Sequence, residues 1–486
     1  MSKVIGTFEL SLNHRLRGQS LASWLYSELR TAILEGRLKN GVRLPASRDF
    51  ARQYRLSRGT VISAFERLQD EGYLSSHVGV GTWVSAEVSE RESRRQESAR
   101  PPSYIRRAAS EHTLPKPLVD WVHFKEARPF RMSVPALAEF PAEIWGRIAA
   151  RRARAFRPWL QEVDDKRGYL PLRQAIAHYL GSSRGVRCEA DQVFIVSGVQ
   201  QALDLLARFL LNPGDPVWME DPGYFGASIA FENARAKIIP VPVDSEGLCV
   251  SAGIKACPNA KGVYLTPAHQ FPLGMALSLE RRMEVLSWAT RTGSFIIEDD
   301  YDSEYRFQGE PAPALQGLDR GSTVIFVGTF TKLLFPALRT GYLVLPAALL
   351  EPFESFRRGV ELRTFNFDQA VLCDFMVEGH FGRHLRRMRE LYAARFDALL
   401  DYGRQYLQGL LEISNTQAGL YTSALLQNGM TSHLAETRAA AHGVETAALD
   451  RFTLKRPDPG GLLLGFAAFD PKTIQKGVTQ LAKALS

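Results

Sequence analysis

The sequence predicts a mainly parallel α/β body with a winged helix-turn-helix at its N-terminus, and three observations carry that expectation. From about Phe140 onward, near-continuous apolar runs alternate with helical segments across short turns: VFIVSG before VQQALDLLARFLL, then SFIIEDDYD and TVIFVGTFTK. Strands apolar on both faces and separated by helices belong to a parallel sheet covered on both sides. Ahead of them, two helices joined by the tight connection Arg55-Leu56 are followed by two short strands with a glycine-rich tip. The basic excess also lies at the front. Residues 1–86 hold 12 Lys+Arg against 7 Asp+Glu, while residues 118–486 hold 41 against 40.

At ~150 residues per domain, 486 residues allow about three domains and a large core. Apolar residues make up 45% and charged residues 23%, an ordinary globular composition, and no run approaches the ~18 apolar residues of a membrane span. The start, MSKVIGTFELSLNHRLRG, lacks the apolar core of a signal peptide. Cys188, Cys249, Cys257 and Cys373 are scattered, with neither metal-ligand nor disulfide spacing. A cytoplasmic protein without metal or membrane is expected.

Leu21, Leu25, Leu29 and Ile33 recur at helical spacing, with Gly36 as the stop. After KNGVRLP, Ser47 is placed to cap SRDFARQY, and Ser57 to cap SRGTVISAFERLQDEG, which ends at Gly72. Tyr73-Leu74, the tip His77 to Gly81 and Thr82-Trp83-Val84 make the wing. In residues 1–86 the first turn of the second helix would enter a major groove, with Arg58 and Thr60 at base edges and phosphates. Arg48 would hold a phosphate, and His77 with the wing glycines would approach the backbone. A head with this charge excess is expected to bind double-stranded DNA.

Residues 87–117 are rich in Ser, Arg, Glu and Pro and poor in aliphatics, the composition of a linker. As a flexible coil they would span ~30 Å, close to the ~34–36 Å between half-sites on one face of DNA. The body, 118–486, is expected to comprise a larger part over about 160–345 and a smaller, helix-rich part over about 346–486.

Chemistry concentrates in Thr323–Leu343, TVIFVGTFTKLLFPALRTGYL. A lysine at the mouth of a buried strand, Lys332, can lose its proton to desolvation and attack an aldehyde. Thr329, Thr331 and Arg339 around it make a seat for a phosphate dianion. Pyridoxal 5'-phosphate needs both. Ser197-Gly198-Val199-Gln200 ends a strand and opens a helix, offering N–H groups to a phosphate. Tyr224 is a flat ring at a strand end, suited to stack on a pyridine. Asp299, closing FIIEDD, could hold the pyridine nitrogen protonated, and Tyr301 could reach the ring oxygen. All of these fall at strand C-terminal ends, where open α/β sheets bind ligands.

LPASRDFARQYRLSRGTVISAFERLQDEGYL with VGVGTWV resembles the winged-helix domain of GntR-type transcription regulators, over roughly residues 19 to 86. The resemblance implies that Arg48, Arg58, Thr60, His77 and Gly79 approach DNA. From about Phe140 the chain resembles fold-type I aminotransferases, and its fusion to a winged helix resembles the MocR subgroup of GntR regulators. RGYLPLRQAIAHYL, SGVQQALDLL, EDPGY, TPAHQFPLG, EDDYDSEYRF and GTFTKLLFPALRTGYLVLP carry that likeness. It implies a cofactor bound through Lys332, with Asp299 on the pyridine nitrogen, Tyr301 on the ring oxygen and Tyr224 stacked. Ser197, Gly198, Val199, Gln200, Thr329, Thr331 and Arg339 would surround the phosphate.

Three departures matter. Phe271-Pro272-Leu273-Gly274 stands where the enzymes have Asn-Pro-Thr-Gly, leaving His269 or Gln270 to substitute for the Asn. The Asp299-to-Tyr301 spacing is one residue shorter than in the enzymes. Leu463 stands where an Arg would grip a substrate α-carboxylate. The expectation is therefore a homodimeric regulator whose body binds pyridoxal 5'-phosphate and senses a small amine, an amino acid or the cofactor itself. The alternatives are an active aminotransferase with an accessory DNA-binding domain, and a DNA-binding module whose body has lost the cofactor.

Overall fold

The computed structural model describes residues 10, 12, 19–77, 81–85, 128–155, 166–309, 313–360, 367–455 and 460–486. Gly79 and the expected linker, 87–117, lie outside them. The chain divides into two compact units, Met1–Trp121 and Val122–Ser486.

In the first unit, helix α1 (Leu21–Leu34) starts at Ser20, whose hydroxyl accepts from the Ser23 N–H at 3.2 Å. Strand β1 (Arg43–Leu44) precedes α2 (Ser47–Gln53) and α3 (Arg58–Asp70). Ser57 caps α3 as expected, accepting from the Thr60 N–H at 3.1 Å. At α2 the cap falls on Ala46, with Ser47 already inside the helix. Arg55, in the tight connection, takes the left-handed φ of 53°. Strands β2 (Leu74–His77) and β3 (Gly81–Val84) form the wing, and β1 adds antiparallel to β3. Sequence reading took β1 for part of a turn. Leu25, Leu29, Phe50, Val61 and Leu68 are fully buried between these elements.

The second unit is built on an eight-stranded sheet comprising β4 (Val193–Val196), β5 (Pro216–Asp221), β6 (Lys237–Asp244), β7 (Gly247–Leu248), β8 (Gly262–Leu265), β9 (Phe295–Asp300), β10 (Val324–Thr329) and β11 (Gly341–Val344). The order is β4-β11-β10-β9-β8-β5-β6-β7, with β10, β9, β8, β5 and β6 mutually parallel and β11 antiparallel to both its neighbours. The apolar strands explain this burial on both faces: β4, β8, β10 and β11 are buried throughout. A four-stranded antiparallel sheet of β12 (Leu411–Ile413), β13 (Tyr421–Leu426), β14 (Ala447–Ala448) and β15 (Gly461–Gly465) follows, with the long helix His380–Tyr406. Among the described residues no helix is long and apolar enough to cross a membrane.

Candidate functional site

The sheet register brings the predicted residues to one edge. Thr329 of β10 pairs with Gly341 of β11, and Gly341 with Val196 of β4, so three strand ends share one row. Next to that row lie the Ser197-Gly198 turn, Thr331 and Arg339. Gly198 takes φ 97° and opens the helix Val199–Leu210, leaving that helix N-terminus facing outward. Thr329 Oγ1 accepts from the Thr331 N–H at 3.1 Å. Arg339 is exposed, sits at a left-handed φ of 43° and has no hydrogen-bond or ion-pair partner among the described residues. The Ser197 N–H is already spent on Gln201 Oε1 at 2.6 Å, so the Thr331 hydroxyl, the N–H groups at the start of the helix Val199–Leu210 and the Arg339 guanidinium make the donor set for a dianion. The Gln200 side chain is already committed, donating to the Gly226 carbonyl at 2.9 Å, so only its backbone N–H faces that edge.

Beside β10, Asp299 lies near the end of β9, opposite Val327. Its Oδ2 accepts from the Tyr264 hydroxyl at 2.6 Å, while Oδ1 is buried without a partner. Burial, more than the neighbouring Asp300 and Asp302, pushes its carboxyl up to about 7. A buried carboxylate with one bare oxygen is suited to a cationic ring N–H. Tyr224, at the end of β5, is half-buried and meets the Phe271 ring edge-on at 5.6 Å.

Tyr301 belongs to a hydrogen-bonded network rather than standing alone. Its hydroxyl lies 3.1 Å from His269 Nδ1 and 2.9 Å from the Tyr421 hydroxyl. His269 Nδ1 also meets Asp302 Oδ1 at 2.8 Å, and its Nε2 faces Thr416 Oγ1 at 3.4 Å. Both nitrogens of His269 therefore face protein, which suits it to position Tyr301 rather than to touch a ring itself. Gln270 is also occupied, donating to the carbonyls of Pro222 and Phe271. Tyr264, Tyr421, Asp302 and Glu220 were missed by sequence reasoning. Glu220, buried at the end of β5, accepts from Thr266, and burial pushes it up to about 8.

Lys332 follows β10. Its Nζ donates to the Ser133 carbonyl at 3.2 Å, and desolvation brings its ammonium down to about 8. Ser133 takes φ 62° and Phe130 φ 71°, so the segment crossing Lys332 is locally strained.

In the first unit, Arg48 and Arg58 are exposed at the starts of α2 and α3, with no partner among the described residues. The Thr60 hydroxyl is drawn into the cap, 2.7 Å from Ser57 Oγ. Arg43 of β1, absent from the sequence-based set, lies over the Trp83 ring at 5.6 Å beneath the wing. His77 ends β2.

The chain matches the family of bacterial regulatory proteins of the gntR family over residues 21–84, and aminotransferase class I and II over residues 148–480. It is 38% identical to the probable rhizopine catabolism regulatory protein MocR of Rhizobium meliloti, across 95% of this chain and 92% of that protein. The chain belongs to the MocR group of GntR-type transcription regulators. A further relative, the HTH-type pyridoxine biosynthesis transcriptional regulator PdxR of Corynebacterium glutamicum, is 28% identical over 96% of each chain. Among solved structures, α-aminoadipate aminotransferase LysN of Thermus thermophilus, complexed with N-(5'-phosphopyridoxyl)-L-leucine, superposes with a TM-score of 0.72. It is 26% identical and covers 79% of this chain and 98% of its own. The MocR-type chain thus carries the aminotransferase fold behind a GntR head.

Proposed function

We propose that this regulator binds pyridoxal 5'-phosphate through Lys332 and passes the arrival of a small amine, or of the cofactor itself, to its DNA-binding head. Asp299 carries the proposal: one oxygen is fixed by Tyr264 and the other is buried and bare, beside the strand that presents Lys332. Bound there, the cofactor would supply an electrophilic aldehyde carbon that Lys332 and an incoming amine compete for. Asp299 Oδ1 would hold the proton on the ring nitrogen, and Tyr224 would cover one ring face. Tyr301, steadied by His269 and Asp302, would donate to the ring oxygen. Thr329, Thr331, Arg339, the Ser197 hydroxyl and the N–H groups of Gly198 to Gln200 would bind the phosphate, the Ser197 N–H being held by Gln201. The cofactor analogue in LysN and the pyridoxine-linked name of PdxR support this assignment.

Lys332 gives the chain a way to report. A Lys332 ammonium released by a competing amine has a seat ready at the Ser133 carbonyl. Ser133 lies near the start of the described part of the body, so the contact can bias that end of the unit. Its effect on DNA binding is bounded by the amine's differential affinity for the two states. We place the head at 1–86 and the body at 118–486, and infer a homodimer whose two heads read a two-fold operator.

Two outcomes are expected. Borohydride reduction of the cofactor-loaded protein should label Lys332, and Lys332→Ala should lose the covalent link; a label on another lysine would overturn the assignment. Burial disfavours the ammonium, so the reactive neutral amine is ~10% populated at pH 7 with a pKa of about 8, against ~0.04% for an ordinary lysine near 10.4. Cofactor uptake by the apo-protein should therefore rise with pH through about 8 and then level. A rise continuing towards pH 10 would mean that Lys332 is solvated.

For the head, Arg58→Ala should weaken operator binding by ~1–3 kcal/mol and relax sequence preference. Arg48→Ala should weaken all sequences alike and lower the salt slope by about one. Titrations by fluorescence anisotropy at several salt concentrations would check both. Wild-type binding by both variants would remove α3 as the reading helix.

A further inference from the structure

Which amine the site accepts is written in the wall beside Tyr224 and Tyr301, and the inference rests on the cofactor assignment above. Leu463 is fully buried in the middle of β15, paired with Ser423 and Ala447. It belongs to an apolar cluster with Phe271, Tyr421 and Phe452, packed against the partly exposed rings of Tyr224 and Tyr301. Phe271 joins the two sides. Its ring lies 5.6 Å from Tyr224, 6.1 Å from Tyr301, 5.9 Å from Tyr421 and 5.1 Å from Phe452. Any amine bonding to a cofactor stacked on Tyr224 would place its substituent along this wall.

Among the described residues, Arg131, Arg451, Arg184 and Arg383 are committed away from this wall. Arg131 and Arg451, near it in the chain, are ion-paired to Glu445 at 2.7 Å and Glu436 at 2.5 Å. Arg184 is buried against Asp300 at 2.8 Å, and Arg383 donates to the Glu378 carbonyl in the turn before its own helix. The nearby fixed charges are acidic: burial first, then Asp302 and Glu220, hold the Tyr421 hydroxyl protonated. A carboxylate here would be desolvated without a cation and would meet like charge.

We propose that the site selects a primary amine bearing an apolar substituent and no carboxylate, with Leu463 and Phe452 as specificity residues. The holo-protein is titrated with 2-phenylethylamine, L-phenylalanine, which adds only the carboxylate, and ethanolamine, which replaces the ring by a hydroxyl. Binding is read by cofactor absorbance and, independently, by the shift in Tm. Phenylethylamine should half-saturate at a concentration about tenfold or more below either competitor, ~1.4 kcal/mol. Leu463→Arg should narrow or reverse the preference over L-phenylalanine. Because that substitution puts a charge into a buried strand and can unfold the domain, Phe452→Ala serves as the second variant. It should weaken phenylethylamine about tenfold more than ethanolamine. L-Phenylalanine binding as tightly as phenylethylamine to the wild type would overturn the exclusion of carboxylates, and ethanolamine doing so would overturn the apolar selection. Absence of any cofactor band in the wild type would instead overturn the cofactor assignment, and this inference with it.

Discussion

Asp299→Ala is expected to raise the dissociation constant for pyridoxal 5'-phosphate by roughly 150- to 4000-fold, because removing one member of a buried ion pair costs ~3–5 kcal/mol. The carboxylate is placed for that role by three facts. It is buried near the end of β9, its Oδ2 is fixed by Tyr264 at 2.6 Å, and its Oδ1 has no protein partner. Asp299→Asn should fall between wild type and Ala, since an amide can still accept from Tyr264 but carries no charge to hold the ring proton. Equilibrium dialysis against the cofactor measures both variants, with circular dichroism as the folding control. An Ala variant that retains wild-type affinity would remove Asp299 from the site.

Much of this site was legible because strand-to-loop transitions in an α/β sheet announce themselves. FIIEDD, TVIFVGTFTK and VFIVSG each end an apolar run in polar residues, and those ends are where the register gathers them. Long-range partners had no such signal. His269 and Asp302 stand 33 residues apart on different segments, and their pairing depends on how both chains bend. The Ser133 carbonyl that receives Lys332 is a backbone group 199 residues away, and any residue type would supply one. The cap at α2 fell one residue early because Ala46, in extended backbone, already starts the helix and leaves Ser47 inside it. Strand β1 has only two residues and exists by pairing with β3, so its pattern could not separate it from a turn.

Sustained transamination of α-amino acids is expected to be absent, with keto-acid release below ~10⁻² s⁻¹ against the ~1 s⁻¹ or faster of ordinary enzymes. Turnover requires the substrate's Cα–H bond to stand perpendicular to the cofactor ring, and orientation of this kind accounts for several kcal/mol of a barrier. A clamp on the carboxylate would fix that angle, but Leu463 is a buried hydrocarbon in the apolar cluster beside Tyr301. Among the described residues, Arg184 and Arg383 do not replace it. Arg184 is buried in an ion pair with Asp300, and Arg383 lies exposed on the helix His380–Tyr406 beside His380. An amino acid could therefore exchange with Lys332 yet sample many orientations, which suits a sensor and wastes an enzyme. The holo-protein is incubated with a panel of amino acids and a keto-acid acceptor, and keto-acid release is followed over many equivalents of protein. Release limited to about one equivalent or less fits a regulator whose lysine is only displaced. Repeated turnover at ~1 s⁻¹ would instead make this chain an aminotransferase that also binds DNA, and a carboxylate-binding group other than residue 463 would then have to exist.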